Sequence, residues 1–151
     1  MIAEIDHFNI VVKDLDRSIE FYKLLGFKVV KQASLNGAWI ENVVQLKGVN
    51  AKVAYLVGPT LKPRLELLCY DSPAAKVVAA NSMANTPGLR HLAFRVKGIM
   101  EIYQKMVNAG VAFSSPPQEV PANALTHKEG KKTLCYFYDP DGVLLELAEY
   151  N

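Results

Sequence analysis

Gly88-Leu89-Arg90-His91-Leu92-Ala93-Phe94-Arg95-Val96 is a second edition of Ile5-Asp6-His7-Phe8-Asn9-Ile10-Val11-Val12, and this repeat decides the fold. In each copy one histidine interrupts a short run that otherwise reads as a strand. His7 to His91 is 84 residues (91 − 7), and Gly26 to Gly110 is again 84 (110 − 26), so the copies run in step without a gap. A chain that repeats itself in this way builds two equivalent halves, and two matching histidines can then face one shared centre.

Working outward, residues 2–12 alternate around an apolar strand in which Ile5, His7, Asn9 and Val11 share one face. Asp14 reads as a helix N-cap, and Leu15, Ile19, Tyr22 and Leu25 or Phe21 carry helical spacing after it. Gly26 stands where a glycine would end that helix. Strands are expected from Phe27 to Val30, Trp39 to Val44, Ala51 to Val57 and Arg64 to Tyr70, one strand more than the β-α-β-β-β order to which the first half is assigned. Module 1 is therefore placed at about 1–70 and a linker at about 71–88, with a short helix candidate at Ala74 to Ala80. Module 2, about 89–151, repeats the order: a strand at 89–96, a helix near 99–109 and a strand near 111–114. A looser proline segment follows, then a hairpin of Thr133–Tyr138 and Val143–Glu149 around Asp139-Pro140-Asp141-Gly142. The whole chain, 1–151, is read as a single domain.

At 151 residues, with 50% apolar and 21% charged, the composition is that of an ordinary globular protein with a sizeable core. A net charge of +2, evenly spread, gives no electrostatic footprint for nucleic acid or a membrane surface. No apolar run approaches the roughly 20 residues that cross a bilayer. Glu4 and Asp6 near the start do not suit a signal peptide, so a cytoplasmic address is expected. Cys69 and Cys135 lie in apolar runs without metal-pair spacing and read as buried free thiols.

Each half offers one histidine at its first strand and one glutamate at its last: His7 with Glu66, and His91 with Glu146. A lone strand histidine is usually a hydrogen-bonded, half-buried residue, and a lone strand glutamate usually faces solvent. Glu66 and Glu146, however, lie among leucines, where an unpaired carboxylate is costly to bury. Pairing the halves would unite an imidazole and carboxylate set suited to a divalent first-row transition metal, with positions open for water or substrate.

The paired β-α-β-β-β modules, the four residues at these places and the terminal Asp-Pro-Asp-Gly-x-x-x-Glu resemble the vicinal oxygen chelate (VOC) superfamily over the whole chain. That group includes glyoxalase I, methylmalonyl-CoA epimerase, extradiol dioxygenases and the fosfomycin and bleomycin resistance proteins. The resemblance implies an α+β fold, two βαβββ modules forming an open, barrel-like cleft of mixed sheet. It also implies one divalent ion per site (zinc, nickel, cobalt, manganese or iron) held by His7, Glu66, His91 and Glu146. The His, Glu, His, Glu order is similar to glyoxalase I, whereas methylmalonyl-CoA epimerase usually has glutamine at the place of Glu66. Both imply a metal-dependent lyase or isomerase that moves a proton beside a metal-bound carbonyl, with Glu146 the first candidate base and Glu66 the second.

Two other classes remain open. An extradiol-type Fe(II) dioxygenase would use His7, His91 and Glu146, with Tyr136 near substrate. Glu66 would crowd that site, and no histidine lies between Glu66 and His91 to serve as an acid. A metal-free drug-binding resistance protein would not need the four ligands. Asn9, Arg64, Arg95, His127 and Tyr136 are candidate contacts for a small-molecule substrate, and Lys131 and Lys132 flank the expected mouth. Glu41 reads as solvent-facing. Chains of this size in the superfamily are mostly two-fold dimers, so a homodimer is expected, with no nucleic-acid or membrane partner.

Overall fold

The computed structural model describes residues 3–76, 83–121 and 130–151. The chain divides into two compact units, Met1–Val77 and Val78–Asn151. The first holds β1 (His7–Val11), α1 (Leu15–Leu24), β2 (Lys28–Asn36), α2 (Ala38–Val44), β3 (Asn50–Val57) and β4 (Arg64–Ser72). The second holds β5 (His91–Arg95), α3 (Ile99–Asn108), β6 (Gln118–Glu119), β7 (Lys132–Tyr138) and β8 (Leu144–Tyr150). The sheet orders are β1-β4-β3-β2 and β5-β8-β7-β6. In both, the first strand runs parallel to the last while the other pairs are antiparallel. The fold is α+β, two four-stranded mixed sheets with three helices among the described residues, and the duplication read from the histidines is real at the level of topology.

The local chemistry of α1 follows the sequence. Asp14 is extended and accepts a 2.9 Å hydrogen bond from Arg17 N, which satisfies one of the helix's unpaired donors. Leu15, Ile19, Phe21 and Tyr22 are buried. Removing such side chains from water is worth about 1.5–3 kcal/mol each, which holds a helix of this length on its sheet. Tyr22 meets the rings of Phe21 and Phe27 edge-on at 5.1 and 6.0 Å. Gly26, at φ +85°, takes the left-handed turn that ends the helix, a conformation side-chain-bearing residues resist.

Helix α3 is capped from outside itself. Gly98 has no side chain to offer, and Glu149 of β8 accepts hydrogen bonds from Gly98 N and Ile99 N instead. The Gly98 N–H above all holds the Glu149 carboxyl below its ordinary value of 4.5. A depressed carboxyl stabilises the fold fully above that ordinary value and loses the effect as pH falls through the folded one. Glu149→Gln is therefore expected to flatten the acid side of the stability curve, measured by denaturant midpoints between about pH 3 and 6.

Three expectations are corrected. Trp39–Val44 is not a strand but most of α2. Its apolar residues fall at i, i+1, i+4 and i+5: Ile40 and Val44 pack with Val49, Ala51, Val53 and Leu68, while Trp39 and Val43 are exposed. A run of β-branched and aromatic residues has strand propensity, and packing over the sheet overrides it. Removing that strand leaves four strands in the first unit, matching the second. The strand near 111–114 shrinks to one bridge, Phe113 to Phe137, and the proline segment supplies the two-residue β6. Proline at 116, 117 and 121 confines pairing to that short piece. In the helix candidate at Ala74 to Ala80, Ala74 to Lys76 are non-helical and the rest lies outside the described residues. The β7–β8 hairpin forms as expected, with Asp139 Oδ1 accepting from Asp141 N and Val143 N at 2.9 and 2.8 Å. Both cysteines are free, Cys135 buried and Cys69 half-buried. No helix among the described residues is long and apolar enough to cross a membrane.

Candidate functional site

In the first unit, parallel pairing sets Asn9 beside Glu66 and His7 beside Arg64, and antiparallel pairing sets Tyr55 on the other side of Glu66. Three strands thus converge on one carboxylate. His7 Nε2 lies 3.7 Å from Glu66 Oε2, and Asn9 Nδ2 donates to Glu66 Oε1 at 2.8 Å. The Tyr55 hydroxyl also bonds Glu66, and that bond, with burial and the Glu66 charge, pushes the Tyr55 phenol up to about 12. The Tyr55 ring meets His7 edge-on at 6.4 Å between centroids.

His7 is oriented from its far side. Its Nδ1 lies 2.8 Å from Asp6 Oδ2, and the same carboxylate oxygen accepts from Arg64 Nη2. His7 and then Arg64 hold the Asp6 carboxyl below its ordinary range. A carboxylate on Nδ1 turns the ring so that Nε2 points toward Glu66, the arrangement seen behind metal-ligating histidines. Arg64 stacks over Tyr55 at 5.2 Å, so its side chain is committed to the first unit's own residues.

The second unit repeats the pattern with different neighbours. Antiparallel register places Tyr136 opposite Glu146, and parallel register places Ala93 there. His91 Nε2 lies 3.3 Å from Glu146 Oε2, and the His91 and Tyr136 rings are 5.2 Å apart. Burial, then the Glu146 charge, raises the Tyr136 phenol. Glu146 is buried, its side chain 4% exposed. The Lys132 ammonium stands 2.8 Å from Glu146 Oε1. That oxygen is buried, and the ammonium is the charge that meets it. Burial works to lower the Lys132 ammonium, but contact with Glu146 and its charge outweigh this and raise it.

Of the residues singled out from sequence, His7, Glu66 and Asn9 come together in one unit, and His91, Glu146 and Tyr136 in the other. Arg95 instead stacks over Tyr150 at 4.8 Å. Lys131 pairs with Glu119 at 3.2 Å. Glu41 does not simply face solvent: it accepts from Gly48 N at 2.8 Å and fastens the turn after α2. His127 lies outside the described residues. Tyr55 and Asp6 were missed. Tyr55 precedes Glu66 by 11 residues (66 − 55) and Tyr136 precedes Glu146 by 10 (146 − 136), so the repeat itself carried that signal. Among the described residues, no three His, Cys, Asp or Glu side chains gather into a group that could hold a metal. Each unit presents one His–Glu pair, and the donor set of each fits a divalent ion: an imidazole Nε2 turned toward a carboxylate oxygen, at 3.7 Å in the first unit and 3.3 Å in the second.

The chain belongs to the glyoxalase/bleomycin resistance protein/dioxygenase superfamily, which it matches over residues 4–147. It is 24% identical over 162 residues to the uncharacterized protein YwkD of Bacillus subtilis (strain 168), covering 99% of this chain and 98% of that one. The solved structure of a glyoxalase family protein from Bacillus cereus shares the fold at a TM-score of 0.84, with 24% identity, 99% of this chain and 95% of that chain covered. The trypanothione-dependent glyoxalase I of Leishmania major is more distant, with TM-score 0.64, 22% identity and coverage of 97% and 86%. At these identities the two solved structures speak for the fold alone.

Proposed function

We propose that the protein is a divalent-metal-dependent lyase or isomerase that moves a proton at the carbon next to a carbonyl, in a small thioester, hemithioacetal or keto acid. The observation that carries the reading is the duplicated cluster: a histidine, a glutamate and a tyrosine at equivalent strand positions in both units. Two oriented imidazole–carboxylate pairs make an expensive arrangement for structure alone, since a buried carboxylate must find compensation. His7, Glu66, His91 and Glu146 are the residues that would hold the ion, and this reading takes the protein as a homodimer. A gel-filtration mass of one chain would contradict the dimer. The address taken with this reading is the cytoplasm, and the partner a small molecule, with no nucleic acid or membrane.

When bound, the ion supplies Lewis acidity to a substrate carbonyl oxygen and so acidifies the neighbouring C–H. The chain's own residues divide the remaining work. Glu66 is tied by Asn9 and Tyr55 and is suited to stay in place. Glu146 has Ala93 where Glu66 has Asn9, so no amide fixes its carboxylate and it is the better placed to take and return the substrate proton. Tyr136 beside it is kept neutral at ordinary pH and can donate a hydrogen bond. Asp6 holds the His7 ring in one orientation.

An extradiol-type dioxygenase is the second reading, favoured by Tyr136 beside His91. One pair of assays separates them. Deuterium from solvent should enter the carbon beside the carbonyl of a hemithioacetal or 2-oxo thioester. Oxygen uptake with catechols and ferrous iron, without such exchange, would instead establish the dioxygenase. Tight drug binding by metal-stripped protein without turnover would favour sequestration.

A further inference from the structure

The two His–Glu pairs differ in the charge that touches their carboxylates. Lys132 lies on β7 four residues before Tyr136, and the position four residues before Tyr55 on β3 is Ala51, which is fully buried. The register agrees, since Lys132 pairs with Tyr150 and Ala51 with Tyr70. Among the described residues, Glu66 meets an amide and a phenol besides its own histidine, while Glu146 has an ammonium 2.8 Å from Oε1. Lys132 is not a loose surface cation: its side chain is 15% exposed and its ammonium lies 5.8 Å from the Tyr150 ring centroid.

We infer that Lys132 is a resident counter-ion of Glu146, which neutralises that carboxylate in the ion-free protein and competes with a divalent ion for it. The inference rests on the metal-site reading above and adds to it a positioning residue that sets how tightly the second pair binds. A buried carboxylate without an opposing charge is strongly destabilising, and in the ion-free chain the Lys132 ammonium supplies that opposing charge. The same charge opposes a second cation at the same oxygen. At the effective dielectric of partly buried sites, like charges a few ångströms apart repel by several kcal/mol, more than one decade of affinity. The first pair carries no such opposition on its glutamate, which makes the two units unequal as ligands despite their common topology.

The test compares wild type with Lys132→Met, which keeps the stem over Tyr150 and removes the charge. Zinc and manganese affinities are measured by competition with a chromophoric chelator. Melting temperatures are measured in chelator-treated protein, alone and in the Glu146→Gln background. Lys132→Met should bind either ion at least about tenfold more tightly than wild type. Free of ions, it should melt several degrees lower, and that loss should vanish when Glu146 is glutamine. Wild type that binds metal, with Lys132→Met binding equally or more weakly, would overturn the inference and leave the metal site standing. Failure of both proteins to bind any ion would overturn the metal-site reading itself, and the competition with it. An uncoupled thermal cycle would remove the counter-ion role irrespective of metal.

Discussion

Glu146→Gln is expected to lower the proton-transfer rate by about 10²–10⁴-fold, the usual contribution of a general base. Glutamine keeps the shape of the side chain and removes both its basicity and its charge. Position 146 is buried, with His91 Nε2 3.3 Å from Oε2 and Lys132 Nζ 2.8 Å from Oε1. The same change at Glu66 should weaken ion binding while costing less in rate per bound ion, because Asn9 and Tyr55 hold that carboxylate still. Solvent-deuterium exchange at fixed ion occupancy separates the two effects. Glu146→Gln exchanging within tenfold of wild type would remove Glu146 from the role of base.

Phe137→Ala is expected to cost about 3–5 kcal/mol, a large share of a domain's marginal stability. Phe137 is fully buried on β7, is paired in register with Leu145 and stacks on Phe113 with centroids 5.3 Å apart. Phe113 reaches the sheet through a single bridge to Phe137 itself, so truncation opens a cavity and also loosens the segment after α3. Urea midpoints at constant slope would report it, and a loss under about 1 kcal/mol would mean that the second unit's core lies elsewhere.

Much of this architecture could be read from the chain because its signals are local. Asp14, Gly26 and Gly110 punctuate helices through backbone needs that few residues meet, and Asp139 to Gly142 closes a hairpin for the same reason. The four His and Glu positions were legible because duplication made them coincide. What stayed hidden depends on pairing across the sheet. Tyr55 reaches Glu66 only because β3 runs antiparallel to β4 in one particular register. Lys132 read as a cation at a cleft mouth, and only the β7–β8 register turns it toward Glu146. The helix at Ala38–Val44 was disguised by its own residues: tryptophan, isoleucine and two valines argue for a strand until the surface beneath Ile40 is known. The Asp6 role needs the depth of the His7 ring and the Arg64 partner, neither of which spacing reveals.

The duplicated His–Glu–Tyr cluster stands or falls as a metal site, and bound ion answers that most directly. Elemental analysis of purified wild type, His7→Ala and His91→Ala should find about one divalent ion per site in wild type and a clear loss in each variant. Full occupancy retained by His91→Ala would contradict the account.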